Sequence, residues 1–134
     1  MDGTLITGKK PVLSYDIRNW IQNSKKDFYI YLFSNNPSKK RIKLVAETLD
    51  LDFMGSGGKP RKRKLKKIID KIPYSSNEVA IIGDRVFTDI LVGNRLGMYT
   101  ILVDSVDFHG ERNEKNNFQS LERYLAKIIT GDIL

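Results

Sequence analysis

The sequence contains no cysteine, which excludes disulfide bonds and thiolate zinc sites and fits a reducing compartment. It has one histidine, His109, in a long polar stretch, and we interpret it as an ordinary loop residue. No apolar run is long enough to cross a bilayer, and the first twelve residues lack the apolar segment of a signal peptide. We therefore expect a cytoplasmic protein.

The composition is that of a folded chain with a strong positive charge. Hydrophobic residues make up 40% and charged residues 29% of the 134 residues, and there is no internal repeat or low-complexity tract. We therefore expect one domain that spans residues 1–134. The net charge of +7 favours anionic partners, namely phosphorylated substrates, nucleic acid or anionic lipid, and does not choose among them.

Apolar runs of strand length alternate with segments of helical periodicity. The predicted strands are residues 28–33, 51–54, 79–82 and 99–103, the first of them buried on both faces. The predicted helices lie in residues 12–26 (capped by Ser14), 38–49, 59–71, 87–96 and 118–129. Strands separated by single helices are typical of right-handed βαβ units, so we predict a three-layer α/β domain with a mostly parallel sheet.

Chemically active residues follow the ends of the predicted strands, where open parallel sheets bind ligands. Ser34 and Asn35 follow the first strand, Lys59 follows a glycine-rich loop after the second, and Asp84 follows the third. Asp89 comes within about one helical turn of Asp84. Carboxylates suit Mg²⁺, whereas hydroxyl, amide and lysine groups neutralise phosphoryl oxygens, so we predict a site for a phosphate and a divalent cation.

The order of these residues resembles the haloacid dehalogenase (HAD) superfamily of aspartate-nucleophile phosphatases. Asp2-Gly3-Thr4-Leu5 matches the second half of the first motif of the family, and Ser34 and Lys59 match the second and third. Gly83-Asp84 with Asp89 matches the fourth motif. The resemblance implies a HAD-like Rossmannoid fold and Mg²⁺-dependent hydrolysis of phosphomonoesters through an aspartyl-phosphate.

A narrower resemblance is to the YqeG-like branch, which includes the phosphatidylglycerophosphate phosphatases of phospholipid biosynthesis. It rests on Ser34-Asn35-Asn36, on Lys59-Pro60 and on residues 83–95. Only one helix fits before residue 28 and only one between residues 38 and 51, so we expect no cap domain (subfamily III). An uncapped site admits a phosphate carried on a large molecule, such as a phospholipid head group.

The resemblance also implies roles for individual residues. Asp2 is expected to act as general acid and base through its side chain and as a metal ligand through its backbone carbonyl. Lys59 (with Lys62 as the alternative) is expected to be the motif lysine, and Asp84 a metal ligand. Asp89 is either a third metal ligand or an acid that favours the helix dipole or acts through a neighbour. The predicted substrate-binding residues are Thr4, Ser34, Asn35, Asn94 and Arg95, and the last two are alternatively a polar pair at a helix end.

The first motif is incomplete in this sequence. In the family the nucleophilic aspartate stands two positions before the second aspartate, which places it ahead of Met1, together with the central strand of the sheet. We therefore expect an N-terminally truncated chain, inactive and poorly stable as written, with an evolved non-enzyme as the alternative.

The basic stretch at residues 61–67 leaves a second function open. It is either a solvated helix face or a surface for anionic lipid or nucleic acid. The alternative to a phosphatase is therefore a non-catalytic basic module on the same fold, binding RNA or an anionic membrane, and a phosphatase itself could lie peripherally at the membrane.

Overall fold

A computed structural model describes residues 1, 4–6, 12–55 and 61–105 of the chain. The predicted closing helix, His109, Asp2 and Lys59 lie outside these described residues. Within the described ranges, no helix combines the length and the apolar character needed to span a bilayer.

Helices and strands alternate along both halves of the described chain. The first half contains α1 (Tyr15–Ser24), β1 (Tyr31–Ser34), α2 (Lys39–Leu49) and β2 (Asp52–Gly55). The second half contains α3 (Arg61–Ile69), a 3₁₀ turn (Ser76–Glu78), β3 (Ala80–Gly83), a π-helical turn (Val86–Ile90), α4 (Leu91–Arg95) and β4 (Tyr99–Leu102). Ser14 is the N-cap of α1 as predicted, and its Oγ accepts a hydrogen bond of 3.3 Å from the backbone N–H of Ile17.

The described strands form two parallel pairs. β1 pairs with β2, with Leu32 opposite Phe53, and β3 pairs with β4, with Ile82 opposite Ile101. Parallel strands joined through helices confirm the predicted α/β class. No pairing joins β1 to β3 among the described residues.

Two apolar clusters fill the described part of the molecule. The first cluster is the larger, and its buried members are Ile6, Leu13, Ile21, Leu32, Ile42, Val45, Ala46 and Leu49. It contains the apolar stripe of the helix predicted in residues 38–49, namely Ile42, Val45, Ala46 and Leu49, because residues spaced three and four apart share one helix face. The second cluster has three buried members, Leu65, Ile68 and Met98, against which side chains of β1 and β3 pack.

Two strand predictions were wrong in part. The run at residues 28–33 enters a strand only at Tyr31, because the backbone N–H of Phe28 still bonds the carbonyl of Ser24 in the turn after α1. Phe28 is therefore 70% exposed. The prediction that residues 79–82 form a buried strand also fails, since Ile82 is 41% exposed.

The packing of α4 shows which face of β3 is covered. Gly93 of α4 lies so close to Ile81 and Thr100 that a Cβ at residue 93 would be 2.6 Å from the Thr100 methyl group. That contact covers one face of the β3–β4 pair. Ile82 and Ile101 point to the opposite face, because side chains alternate along a strand and paired residues share a face.

Candidate functional site

The centre of the candidate site is Asp84, the residue after the last position of β3. Its side chain is 4% exposed, which is unusual for a carboxylate and requires polar partners. The strand end is held in place from β4, because the backbone N–H of Val103 donates to the carbonyl of Gly83 at 3.0 Å. Asp84 therefore lies at the carboxyl end of the β3–β4 pair, as predicted.

Thr4 is a direct partner of Asp84. Its hydroxyl Oγ1 donates to Oδ1 of Asp84 at 2.7 Å, across a separation of 80 positions in the sequence. Thr4 is held in a turn, because the carbonyl of Met1 accepts from the backbone N–H of Thr4 at 3.2 Å and of Leu5 at 2.8 Å. The structure thus joins the segment that resembles the first motif to the segment that resembles the fourth.

Asp89 folds back over the end of β3 from the π-helical turn. Its Oδ2 accepts a hydrogen bond of 3.2 Å from the backbone N–H of Arg85. The carboxylate lies against Gly83, where an added Cβ would come within 2.6 Å of the Asp89 Cγ atom. A glycine is therefore required at residue 83 by this close approach. We predicted a plain helix here, and the wider turn explains how Asp89 reaches back to the strand end.

The loop after β1 is shaped by short-range hydrogen bonds. Ser34 is buried, and its Oγ accepts from the backbone N–H of Asn36 at 3.2 Å. Oδ1 of Asn36 in turn accepts from the backbone N–H of Ser38 at 2.9 Å. Asn35 between them is half-buried. The predicted site residues did not include Asn36, although serine and asparagine often bond the backbone two residues on.

The donor set fits a hard divalent cation in its chemistry. Asp84 and Asp89 supply carboxylate oxygens beside the same strand end, and Mg²⁺ takes one or two protein carboxylates while keeping several waters. In the described part of the chain, no group of three His, Cys, Asp or Glu residues is placed to hold a metal. Asp2, the third predicted ligand, lies outside the described residues.

Other predicted residues lie elsewhere or outside the described part. Asn94 and Arg95 are at the C-terminal end of α4, which runs back from Asp84 toward the start of β4. Oδ1 of Asn94 accepts from the Thr100 hydroxyl at 3.1 Å, in the middle of β4. The structure therefore does not bring Asn94 and Arg95 to Asp84. Lys62, the alternative to Lys59, is exposed in the first turn of α3.

Comparison with known proteins gives three results. Residues 56–126, more than half of the chain, match the model of the HAD-hydrolase-like family. The chain is 28% identical over 103 residues to a Bacillus subtilis (strain 168) protein described as "Probable phosphatase YqeG", covering 77% of this chain and 60% of that relative. Among solved structures, it is similar to a p-nitrophenyl phosphatase from Archaeoglobus fulgidus at 16% identity and a TM-score of 0.36, covering 91% of this chain and 48% of the other.

Proposed function

The chain belongs to the HAD-hydrolase-like family, and from this premise we propose that it carries the site of a Mg²⁺-dependent phosphatase for phosphomonoesters. The observation that carries the proposal is the hydrogen bond between Thr4 and Asp84. Two segments 80 positions apart, each similar to a motif of the same family, meet through this bond. Their contact supports a single site at the end of β3.

In the proposed reaction, an aspartate carboxylate attacks the phosphorus, the ester P–O bond breaks and Asp2 protonates the leaving oxygen. Water then gives a proton to Asp2 and attacks the aspartyl-phosphate, which releases inorganic phosphate, restores the nucleophilic carboxylate and returns Asp2 to its protonated form. The carboxylates of Asp84 and Asp89, together with the backbone carbonyl of Asp2, would hold Mg²⁺, which supplies positive charge beside the phosphoryl group. Asp84 is buried at the strand end, so its carboxylate needs little rearrangement to act as a ligand.

The phosphoryl oxygens would be bound by the loop after β1 and by the motif lysine. Ser34 is the last residue of β1, and Asn35 begins the loop after it. Hydrogen bonds maintain the shape of this loop, which supports a preorganised binding site. Lys59 would neutralise charge on the phosphoryl oxygens.

The proposed nucleophile is an aspartate two positions before Asp2, which is not among the 134 residues. We therefore expect the 134-residue chain alone to be inactive. The chain spans 60% of the length of the curated relative it matches, so the activity of a whole protein is part of the proposal.

The test compares the 134-residue chain with a protein extended upstream in frame. A protein extended so that an apolar run ending in Asp stands directly before Met1 should release phosphate from phosphatidylglycerophosphate in the presence of Mg²⁺. Asp84→Ala in the extended protein should reduce turnover about 100-fold or more. Asp70→Ala, which removes an exposed carboxylate at the end of α3, is the matched control and should leave turnover unchanged.

Two results would contradict the proposal. One is Mg²⁺-dependent turnover by the 134-residue chain itself, which would show that the nucleophile has been assigned to the wrong position. The other is full activity of the extended Asp84→Ala protein, which would remove Asp84 from the reaction.

The proposed substrate is a phosphate on a lipid head group, with phosphatidylglycerophosphate as the specific candidate. The support for a membrane-borne substrate is the basic face of α3, whose exposed residues are Lys62, Arg63, Lys66 and Lys67. Cationic side chains close to an anionic bilayer contribute roughly 1 kcal/mol each to binding. We propose that α3 makes a peripheral contact with anionic lipid.

Vesicle sedimentation tests this contact with matched charge reversals. Lys66→Glu/Lys67→Glu on α3 should abolish binding to phosphatidylglycerol vesicles, whereas Lys39→Glu/Lys40→Glu on α2 makes the same change in net charge and should retain most of it. Equal loss in both variants would show that only net charge matters. Binding to RNA with a steep salt dependence, unchanged by Asp84→Ala, would instead favour the non-catalytic binding module.

A further inference from the structure

Thr4 was expected to bind substrate, but its hydroxyl is directed to a different partner. Oγ1 of Thr4 donates to Oδ1 of Asp84 at 2.7 Å, within the usual range for a hydroxyl donor and a carboxylate oxygen. Both residues are shielded from solvent, Asp84 at 4% exposure and Thr4 at an intermediate level. In such surroundings a hydrogen bond to a charged group is stronger than it is in water.

The Thr4 hydroxyl is held by the core beneath it. Ile6, two residues further on, is completely buried in the first cluster, together with Leu32 of β1. The Met1 carbonyl closes the turn by accepting from the backbone N–H groups of Thr4, Leu5 and Ile6. The position of the hydroxyl is therefore set by packing against β1, although its partner lies at the end of β3.

The carboxylate of Asp89 restrains the backbone on both sides of Asp84. Asp89 accepts from the N–H of Arg85 and fills the space over Gly83, so the residues on both sides of Asp84 contact one carboxylate. The Thr4 hydroxyl then restrains the Asp84 carboxylate itself. Buried ligands of metal sites are commonly oriented by neighbouring hydrogen-bond donors in this way.

We propose that Thr4 is a positioning residue that orients the Asp84 carboxylate for Mg²⁺ and does not contact the substrate. This rests on the proposed function, because it takes Asp84 as a metal ligand. Loss of the hydroxyl weakens Mg²⁺ binding even when no substrate is present. A substrate contact at Thr4 would change the affinity for substrate and leave Mg²⁺ binding alone.

Isothermal titration of Mg²⁺ into the 134-residue chain tests the proposal without any turnover. Thr4→Val keeps the shape of the side chain and removes the donor, and it should weaken Mg²⁺ binding by about 10- to 100-fold. Thr4→Ser restores a hydroxyl and should bind within a few-fold of the unaltered chain. Thr48→Val is the matched control, because Thr48 donates only to the Leu44 carbonyl on the exposed side of α2.

The outcomes separate this inference from the function on which it rests. Unchanged Mg²⁺ affinity in Thr4→Val, with Asp84→Ala abolishing binding, overturns the role of Thr4 and keeps the metal site. Absence of Mg²⁺ binding in the unaltered chain overturns both. Circular dichroism without Mg²⁺ shows whether each variant is folded. If Thr4→Val is unfolded, Thr4→Ala, which lacks the hydroxyl, is compared with Thr4→Ser, which keeps it.

Discussion

The two halves of the described chain differ in how well their strands are covered. In residues 12–55, β1 has apolar partners on both sides. The first cluster includes five fully buried side chains in this range, those of Ile21, Ile42, Val45, Ala46 and Leu49. In residues 61–105, the second cluster has only three buried members, and one face of the β3–β4 pair is open. Asp84 of the candidate site lies in this less covered half, at the carboxyl end of β3.

The candidate site and the first cluster are held together by different kinds of contact. The side chains around Asp84 are held by the Thr4 hydroxyl and by the fold of Asp89 over Gly83, which are polar and backbone contacts. The first cluster supplies the apolar burial that anchors the Thr4 turn through Ile6. We infer that the first cluster provides most of the free energy of folding, while the second half holds Asp84 and Asp89 of the candidate site.

The largest expected effect comes from removing a side chain of the first cluster. Leu49 is completely buried, so Leu49→Ala should reduce the free energy of unfolding by about 2–5 kcal/mol, through lost burial and an incompletely filled cavity. Leu65→Ala makes the same chemical change in the smaller second cluster and should cost less. Urea denaturation followed by circular dichroism measures both, and an equal or larger loss at Leu65 would contradict the comparison.

A second effect tests how tightly α4 packs on β3 and β4. Gly93→Ala places a methyl group against Ile81 and Thr100, and overpacking of this kind costs about 1–3 kcal/mol. Helix propensity alone predicts the opposite sign, a gain of about 1 kcal/mol. Arg95→Ala, in the same helix and exposed, should change the free energy of unfolding by less than about 0.5 kcal/mol. If Gly93→Ala makes the protein more stable than the unaltered chain, α4 packs less closely against Ile81 and Thr100 than the structure indicates.

Local patterns in the sequence predicted most of the helices and strands. The contacts between residues far apart in the sequence could not be predicted in this way. The stripe of α2 and the Ser14 cap depend on residues three or four positions apart, so they could be predicted. The order of motifs placed Thr4 and Asp84 in one site, but nothing in the sequence shows that one donates to the other. The bond from Thr100 to Asn94 and the uncovered face of β3 likewise depend on how α4 packs.

A small effect is expected on the open face of the β3–β4 pair. Ile101 is 46% exposed, so Ile101→Thr, which keeps a β-branched side chain in the strand, should change the free energy of unfolding by less than about 0.5 kcal/mol. Ile42→Thr introduces the same group into the first cluster and should be strongly destabilising. A loss above about 2 kcal/mol at Ile101, typical of a buried site, would mean that this face is covered in solution.

The smallest effect concerns a polar contact at the edge of the better covered half. The hydroxyl of Tyr29 donates to Oδ2 of Asp52 in β2 at 2.6 Å. This hydrogen bond, followed by partial burial, raises the pKa of Tyr29 to about 12. Because the folded-state pKa lies above the unfolded value of about 10, the stabilisation is fully present below pH 10 and is lost as the pH rises toward 12.

Absorbance at 295 nm during an alkaline titration measures this shift, with Tyr29→Phe identifying the contribution of Tyr29 among the six tyrosines. Asp52→Asn removes the carboxylate that favours the neutral phenol, so the pKa of Tyr29 should fall toward 10. Asp16→Asn changes the net charge equally at an exposed position of α1 and should leave the titration of Tyr29 unchanged. If Tyr29 titrates near pH 10 in the unaltered chain, the bond between residue 29 and β2 does not persist in solution, and the better covered half is looser at this edge than the structure indicates.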